Sequence, residues 1–273
     1  MARRVQALGL ALFLVGLAIA AWGQEKSPNR IVSEKLIGKT HPSSIADSFK
    51  VSPDSKRVAY VATEGNKQFV VLDGEEQKPY DGIGAGTLTF SPDSKRVVYG
   101  AIVGNKQFVV VDGKEEKQYD DISARAGGLI FSPDSQRVAY VARAGIKSLV
   151  VLDGKEEKQY DDILEGTPIF SPDSKRLAYG ARVGNKWLVL VDGKEDKPYD
   201  GIAKGNPIFS PDSQRVAYDS RVGNNRFVVV DGNDGRQYSG IVKGGRITFD
   251  SPDSFHYLVL KDGGFYLVEE RIE

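Results

Sequence analysis

The sequence predicts an all-β fold, a six-bladed β-propeller of four-stranded antiparallel blades, and three observations carry that reading. Ser-Pro-Asp-Ser recurs at Ser52, Ser91, Ser132, Ser171, Ser210 and Ser251, with successive spacings of 39, 41, 39, 39 and 41 residues. Each period then repeats one order of strand and turn signals. The composition, with 30 Gly, 12 Tyr and 12 Phe in 273 residues, suits many short strands joined by tight turns. A fixed period of about 40 residues is the mark of a repeat architecture before any single residue is interpreted.

The second repeat shows the elements in order. Thr87-Leu88-Thr89-Phe90 is an apolar stretch ending in an aromatic residue and predicts the first strand. Ser-Pro-Asp-Ser follows as a turn, because Pro sets φ and Asp can bond the backbone two residues on. Arg96-Val97-Val98-Tyr99 begins the second strand, and Gly104-Asn105 marks a hairpin. Phe108-Val109-Val110-Val111 is the third strand, closed by Asp112-Gly113. Lys117 to Ile122, carrying Tyr119, is the expected fourth. Four strands with short connections are the content of one blade. Helical repeats need a 3.6-residue periodicity that no window here sustains. A sandwich has no reason to repeat one turn tetrapeptide at near-constant spacing, and a β-helix uses a shorter period.

The last repeat ends at Glu273 after a third strand over Gly264 to Glu269, so its fourth strand is missing. Ile31 to Lys39 is strand-capable and has no blade of its own. The expectation is that this N-terminal strand completes the last blade and removes an open edge.

The repeat style Phe-Ser-Pro-Asp-Ser-Lys-Arg-Val-Ala-Tyr resembles the TolB-type relatives of tryptophan–aspartate propeller repeats, over about Phe49 to Glu269. The resemblance implies a propeller only, without the α/β domain that precedes it in TolB. This chain departs from the family by carrying Ser55, Ser94, Ser135, Ser174, Ser213 and Ser254 where the family usually has Gly.

The first residues read as an export signal over 1–23: Arg3 and Arg4, the apolar run Ala7 to Ala21, then Ala21 and Gly23 as small residues before Gln24. Residues 24–30 are a polar mature start, and the propeller spans 31–273. Cleavage after Ala20 and an uncleaved anchor remain alternatives. The expected location is periplasmic or secreted, with no membrane association after cleavage. Lys plus Arg and Asp plus Glu are 37 each, so net charge is zero and the excess positive charge of a nucleic-acid binder is lacking. The absence of Cys excludes a disulfide scaffold, a thiolate metal site, a cysteine nucleophile and a lipoprotein anchor.

No catalytic residue, metal site or cofactor is predicted. Only His41 and His256 are present, and no Gly-x-Ser-x-Gly elbow occurs. The Asp-Gly pairs at Asp73, Asp112, Asp153, Asp192 and Asp231 read as hairpin turns, and Asp231 to Gly235 lacks calcium-loop spacing. The per-blade Tyr80, Tyr119, Tyr160, Tyr199 and Tyr238 and the per-blade Arg57, Arg96, Arg137, Arg176 and Arg215 read as packing chemistry, because a ligand site breaks symmetry. Charge does break it. Assigned to the second-to-third-strand turns are Thr63, Ile102, Arg143, Arg182 and Arg221; assigned to the blade connections are Ala85, Arg125, Glu165, Lys204 and Lys243. The candidate binding residues are therefore Arg125, Arg143, Arg182, Lys204, Arg221 and Lys243, a basic arc for an acidic protein segment or an anionic polymer. The expected function is an exported, monomeric, non-catalytic binding or scaffolding propeller. The alternative class is an enzyme with its active site in a central channel, a glycan lyase or hydrolase.

Overall fold

The computed structural model describes residues 31–123, 128–242 and 244–273, so the expected signal segment 1–23 and the stretch 24–30 lie outside the described residues. The chain divides into two units, Met1–Leu36 and Ile37–Glu273. In the first, the described residues 31–36 form no helix or strand. The second is a six-bladed β-propeller architecture of six antiparallel sheets, one per repeat, taken in sequence order. No helix among the described residues is long and apolar enough to cross a membrane.

The second sheet stands for the others. Its first strand is in two pieces, Gly82–Ile83 and Thr89–Phe90, both paired to Val97–Val103; Lys106–Val111 and Lys114–Glu115 complete it. The second strand is apolar on both faces because both are covered. Tyr99 and Ala101 pack toward the first sheet and Val98 toward the third. Five such apolar cores join successive sheets. None of the clusters is shared by the first and sixth sheets among the described residues.

Each junction is held at one end by the Ser-Pro-Asp-Ser turn. Asp93 accepts hydrogen bonds from Ser91 Oγ (2.6 Å) and the Lys95 N–H (3.1 Å), closing the turn. These bonds, the serine's first, hold the Asp93 carboxyl below its ordinary range. Arg96 donates to Asp112 of the Asp-Gly turn (2.8 Å), and reaches into the next sheet to the carbonyls of Ser135 (3.0 Å) and Gln136 (2.7 Å). Its guanidinium also lies 5.3 Å from the Phe131 ring centroid. Arg57 and Arg176 repeat the whole arrangement, Arg137 reaches a single carbonyl, and Arg215 meets the Asp253 carboxylate instead.

The serine at the fourth position of the turn has a structural reason. Ser94, Ser135, Ser174 and Ser213 stand at positive φ, between 66° and 68°, where a Cβ is unfavourable. In return their hydroxyls accept the N–H of Asp54, Asp93, Asp134 and Asp173 in the preceding sheet, at 2.9–3.0 Å. Ser55 has the same backbone (φ 59°) but, among the described residues, no preceding sheet, and it is exposed.

Two expectations are corrected here. Ile31 to Lys39 is not a strand; the described residues there are irregular, and the last third strand, Gly264–Arg271, pairs with Ser254–Lys261 alone. The physical reason is the way residues 38–49 pack. Gly38 crosses the Asp73-Gly74 turn so closely that a Cβ would meet the Asp73 carbonyl at 2.6 Å. The His41 ring meets Phe69 edge-on at 5.3 Å, the His41 backbone N–H donates to the Tyr60 hydroxyl (2.7 Å), and Phe49 stacks on Tyr60 at 4.5 Å. The segment thus covers the outer face of the first sheet, whose Tyr60, Ala62, Phe69 and Val71 are buried. The fourth strand is also shifted. It is Lys114–Glu115 with a bridge at Tyr119, whereas Asp121–Ile122 begins the next sheet. Asp120 draws the chain across by accepting from Gly145 N–H (2.6 Å) and pairing with Lys106 (2.6 Å).

Two measurements check this account. Ser135→Ala keeps the unfavourable φ and leaves the Asp93 N–H without its acceptor, so it should cost about 1–2 kcal/mol by denaturant unfolding. Ser55→Gly removes the same backbone penalty with no bond to lose and should be neutral or stabilising by up to about 1 kcal/mol. Equal effects at the two positions would refute the interlocking role of the serine. The second concerns alkaline pH. Burial, then the carboxylate each donates to, pushes Tyr80, Tyr160 and Tyr199 well above the ordinary phenol value, and burial pushes Tyr99 up to about 12. A phenol raised in the folded state contributes stability that is complete below its unfolded value, about pH 10, and is lost as pH rises toward the folded value. Phenolate absorbance should therefore appear together with loss of circular dichroism above about pH 10. Full ionisation in a chain that stays folded would contradict it.

Candidate functional site: a cleft between the third and fourth sheets

The hairpin between second and third strands is a two-residue turn with Gly first, at positive φ in Gly104, Gly145, Gly184 and Gly223. Because the turn is this short, the second strands run further than the sequence suggests. Thr63, Ile102, Arg143, Arg182 and Arg221 belong to those strands, not to the turns. Ala85, Glu165 and Lys204 likewise lie in the loop that interrupts a first strand, not between blades. Arg125 and Lys243 fall outside the described residues.

The basic residues differ in how far the protein already occupies them. Lys204 forms an ion pair with Glu165 of the preceding sheet. Arg182 lies 5.8 Å from the Trp187 ring centroid, donates to the Gly184 carbonyl (3.2 Å), and stands 3.9 Å from Asp162. Arg221 donates to the carbonyls of Gly223 (3.0 Å) and Asp200 (3.2 Å), lying over Gly201. Arg143 is exposed and has no hydrogen-bond acceptor in the protein among the described residues; its effect is felt at Asp120, whose carboxyl it helps hold low after Lys106 and Gly145. Among the described candidates, Arg143 is the one whose guanidinium has no acceptor within the protein.

Arg143 borders a cavity of about 120 Å3 between the third and fourth sheets. Asp121, Ser123, Ser148, Asp162, Glu165 and Thr167 supply polar walls; Val141, Ala142, Ile163 and Leu164 supply apolar ones. The cause of the cavity is Ser148. The equivalent residues are Gln68, Gln107, Trp187 and Arg226, each bridged to the tyrosine of its fourth strand as Ser148 is to Tyr160. Gln68 and Gln107 extend to the next sheet, where they accept the N–H of Ile83 (2.8 Å) and Ile122 (3.1 Å). Serine is too short to do so, and the Ile163 N–H is taken by Asp162 (3.0 Å) instead. Asp121 and Asp162 also break the repeat, since Gly82, Gly201 and Gly240 hold the equivalent places. Sequence reasoning missed these three residues. Their signal was present in the columns of the repeat: Ser148 at the residue after the Lys or Asn that opens each third strand, and Asp121 and Asp162 two residues after each fourth-strand tyrosine.

A second break lies in the fifth sheet. Asp219 is buried where the other repeats carry Val61, Gly100, Val141, Gly180 and Leu258. Burial raises its carboxyl above the ordinary range, against the pull of Arg226, which pairs with it through two nitrogens. Asp219 and Arg226 satisfy one another and bridge only their own sheet. No group of three or more metal-ligating side chains is present among the described residues.

Fold and cleft together define a six-bladed β-propeller repeat protein with a polar cavity between its third and fourth sheets. No protein-family model matches the chain, and no curated protein matches it. Among solved structures it is similar to TolB from Acinetobacter baumannii, at 21% identity over 68% of this chain and 52% of that one, TM-score 0.34. It is similar also to a eukaryotic initiation factor (14% identity, 72% and 55% coverage, TM-score 0.48). A third is Kluyveromyces lactis Hsv2 (12% identity, 85% and 87% coverage, TM-score 0.39). The chain spans about half the length of the first two.

If Ser148 makes the cavity, Ser148→Gln should fill it and restore the bond to the Ile163 N–H. The expected result is an unfolding midpoint equal to or above that of the parent, by up to about 1 kcal/mol. A loss of more than about 1 kcal/mol would show that the space does not admit the longer side chain and that Ser148 is not its cause.

Proposed function

We propose that this chain is an exported, non-catalytic binding propeller with TolB-like repeats, and that the Arg143 cleft holds an acidic segment of a protein partner. The observation that carries the reading is the Arg143 guanidinium, without an acceptor in the protein among the described residues, beside the polar cavity between the third and fourth sheets. A guanidinium without an internal acceptor offers planar donors to a carboxylate. The flanking Asp121, Asp162 and Glu165 disfavour a uniformly anionic polymer by like-charge repulsion. They favour a polypeptide, which presents N–H donors next to its carboxylates. Arg182, Lys204 and Arg221 stand at the same end of neighbouring sheets, and their part is to steer the encounter. Export is supported by the Arg3-Arg4 pair and the apolar run that follows it.

The test is an array of short acidic peptides beside a sulfated glycan, followed by calorimetry of the best peptide at low and physiological salt. Arg143→Ser should weaken peptide binding at least about tenfold, the loss of one charged hydrogen bond, and flatten the salt dependence, with the unfolding midpoint unchanged. Ser148→Gln should weaken it similarly by filling the cavity. Peptide affinity unaltered in both variants, or binding of the glycan alone, would remove the cleft from the reading.

A further inference from the structure

The two ends of the sheet series are finished differently. The outer face of the first sheet is covered by residues 37–49, with Tyr60, Ala62 and Phe69 all buried beneath them. Among the described residues, nothing covers the outer face of the sixth sheet. In it the strands Ser254–Lys261 and Gly264–Arg271 set Leu258 opposite Leu267 and Leu260 opposite Phe265, so these four side chains share one face. They are 41%, 58%, 39% and 76% exposed. The opposite face, with Tyr257 and Val259, is buried in the core shared with the fifth sheet. In the five preceding sheets the equivalent face is covered by the next sheet.

A further sheet of the same kind is not what this face is built to receive. Between its turn serine and second-strand tyrosine the fifth repeat reads Ser213-Gln214-Arg215-Val216-Ala217-Tyr218. The sixth reads Ser254-Phe255-His256-Tyr257. The shortening removes the arginine with which each earlier sheet reaches its successor, through carbonyls in the first four and the Asp253 carboxylate in the fifth. Ser254 consequently leaves the positive-φ conformation of the other five and enters a strand. The face retains the apolar part of the junction and lacks its polar clamp.

We infer that this face is a self-association surface, on which a second copy of the chain packs its own sixth sheet about a two-fold axis. One bare end and one covered end allow a closed pair and stop a filament, because a single patch that meets itself makes an isologous contact. Leu258, Leu260, Phe265 and Leu267 together expose on the order of 400 Å2 of apolar surface, near the size at which a patch marks an interaction site. Two such faces, with their polar margins, cover about 1,000 Å2, which is where specific contacts begin. Sheets pack face to face at about 10 Å through side chains of this size.

The experiment is sedimentation velocity of the full chain from about 1 to 100 μM, beside Leu267→Lys and Phe265→Lys, with circular dichroism and thermal unfolding of all three. Both positions are exposed, so the variants fold if the parent does. The expected result is a two-chain mass for the parent and at least a tenfold larger dissociation constant in each variant. A single-chain parent at every concentration overturns the inference. So does a two-chain mass that both variants keep. Hydrogen exchange supplies the remaining arm: protection of Gly264–Arg271 in a single-chain parent would mean that the chain's own segment covers this strand, and would also overturn it.

Discussion

The arginine that opens each second strand holds the series of sheets together, because it is bonded on both sides of a junction at once. Arg96 is fixed by Asp112 in its own sheet, and only then are its remaining donors aimed at the Ser135 and Gln136 carbonyls of the next. Asp112 is itself anchored, accepting the Val97 N–H at 2.9 Å. A half-buried guanidinium with all its bonds geometrically set loses less entropy on docking than a free one, and it adds ring contact with Phe131. Loss of this residue would leave carbonyls and a carboxylate partly desolvated without a donor. Apolar packing supplies the bulk of the junction; the clamp supplies its register.

The serine at positive φ works in the same joint. A glycine there relaxes the backbone and gives nothing to the neighbouring sheet, whereas Ser135 accepts the unfulfilled Asp93 N–H. The chain therefore accepts local strain at four turns in exchange for a bond across four junctions. Ser55 carries the strain without the bond, because among the described residues no sheet precedes it. That asymmetry, like the missing arginine of the last repeat, marks the ends of the series as clearly as the strands do.

Function in a repeat protein has to come from departures from the repeat, and the departures here are small side chains as much as charges. Ser148 opens space by failing to reach what Gln68 and Gln107 reach. Arg143 is available because Asp121 lies across the strand from it without bonding to it, while Arg221 folds over Gly201 and Arg182 over Trp187. The same residue type in three equivalent places thus has three different degrees of freedom.

Period, turn chemistry and strand order were legible in the sequence, since Pro, Asp, Gly and alternating β-branched runs impose local backbone geometry wherever they occur. So were the structural roles of the Asp-Gly pairs and of the clamp arginines, because a residue repeated in every blade answers to packing. Strand ends were less legible. A two-residue hairpin and an interrupted first strand move Arg143 and Lys204 by a few positions, and only backbone pairing registers that shift. Which cation is free was decided by tertiary structure alone. Lys204 meets Glu165 across two loops 39 residues apart, and no local rule brings those loops together. The fate of residues 37–49 was decided there too. The strand-capable stretch Ile31 to Lys39 is by composition equally suited to an open edge or to an apolar face, and the close approach of Gly38 to the Asp73-Gly74 turn commits the residues from 37 onward to the first sheet.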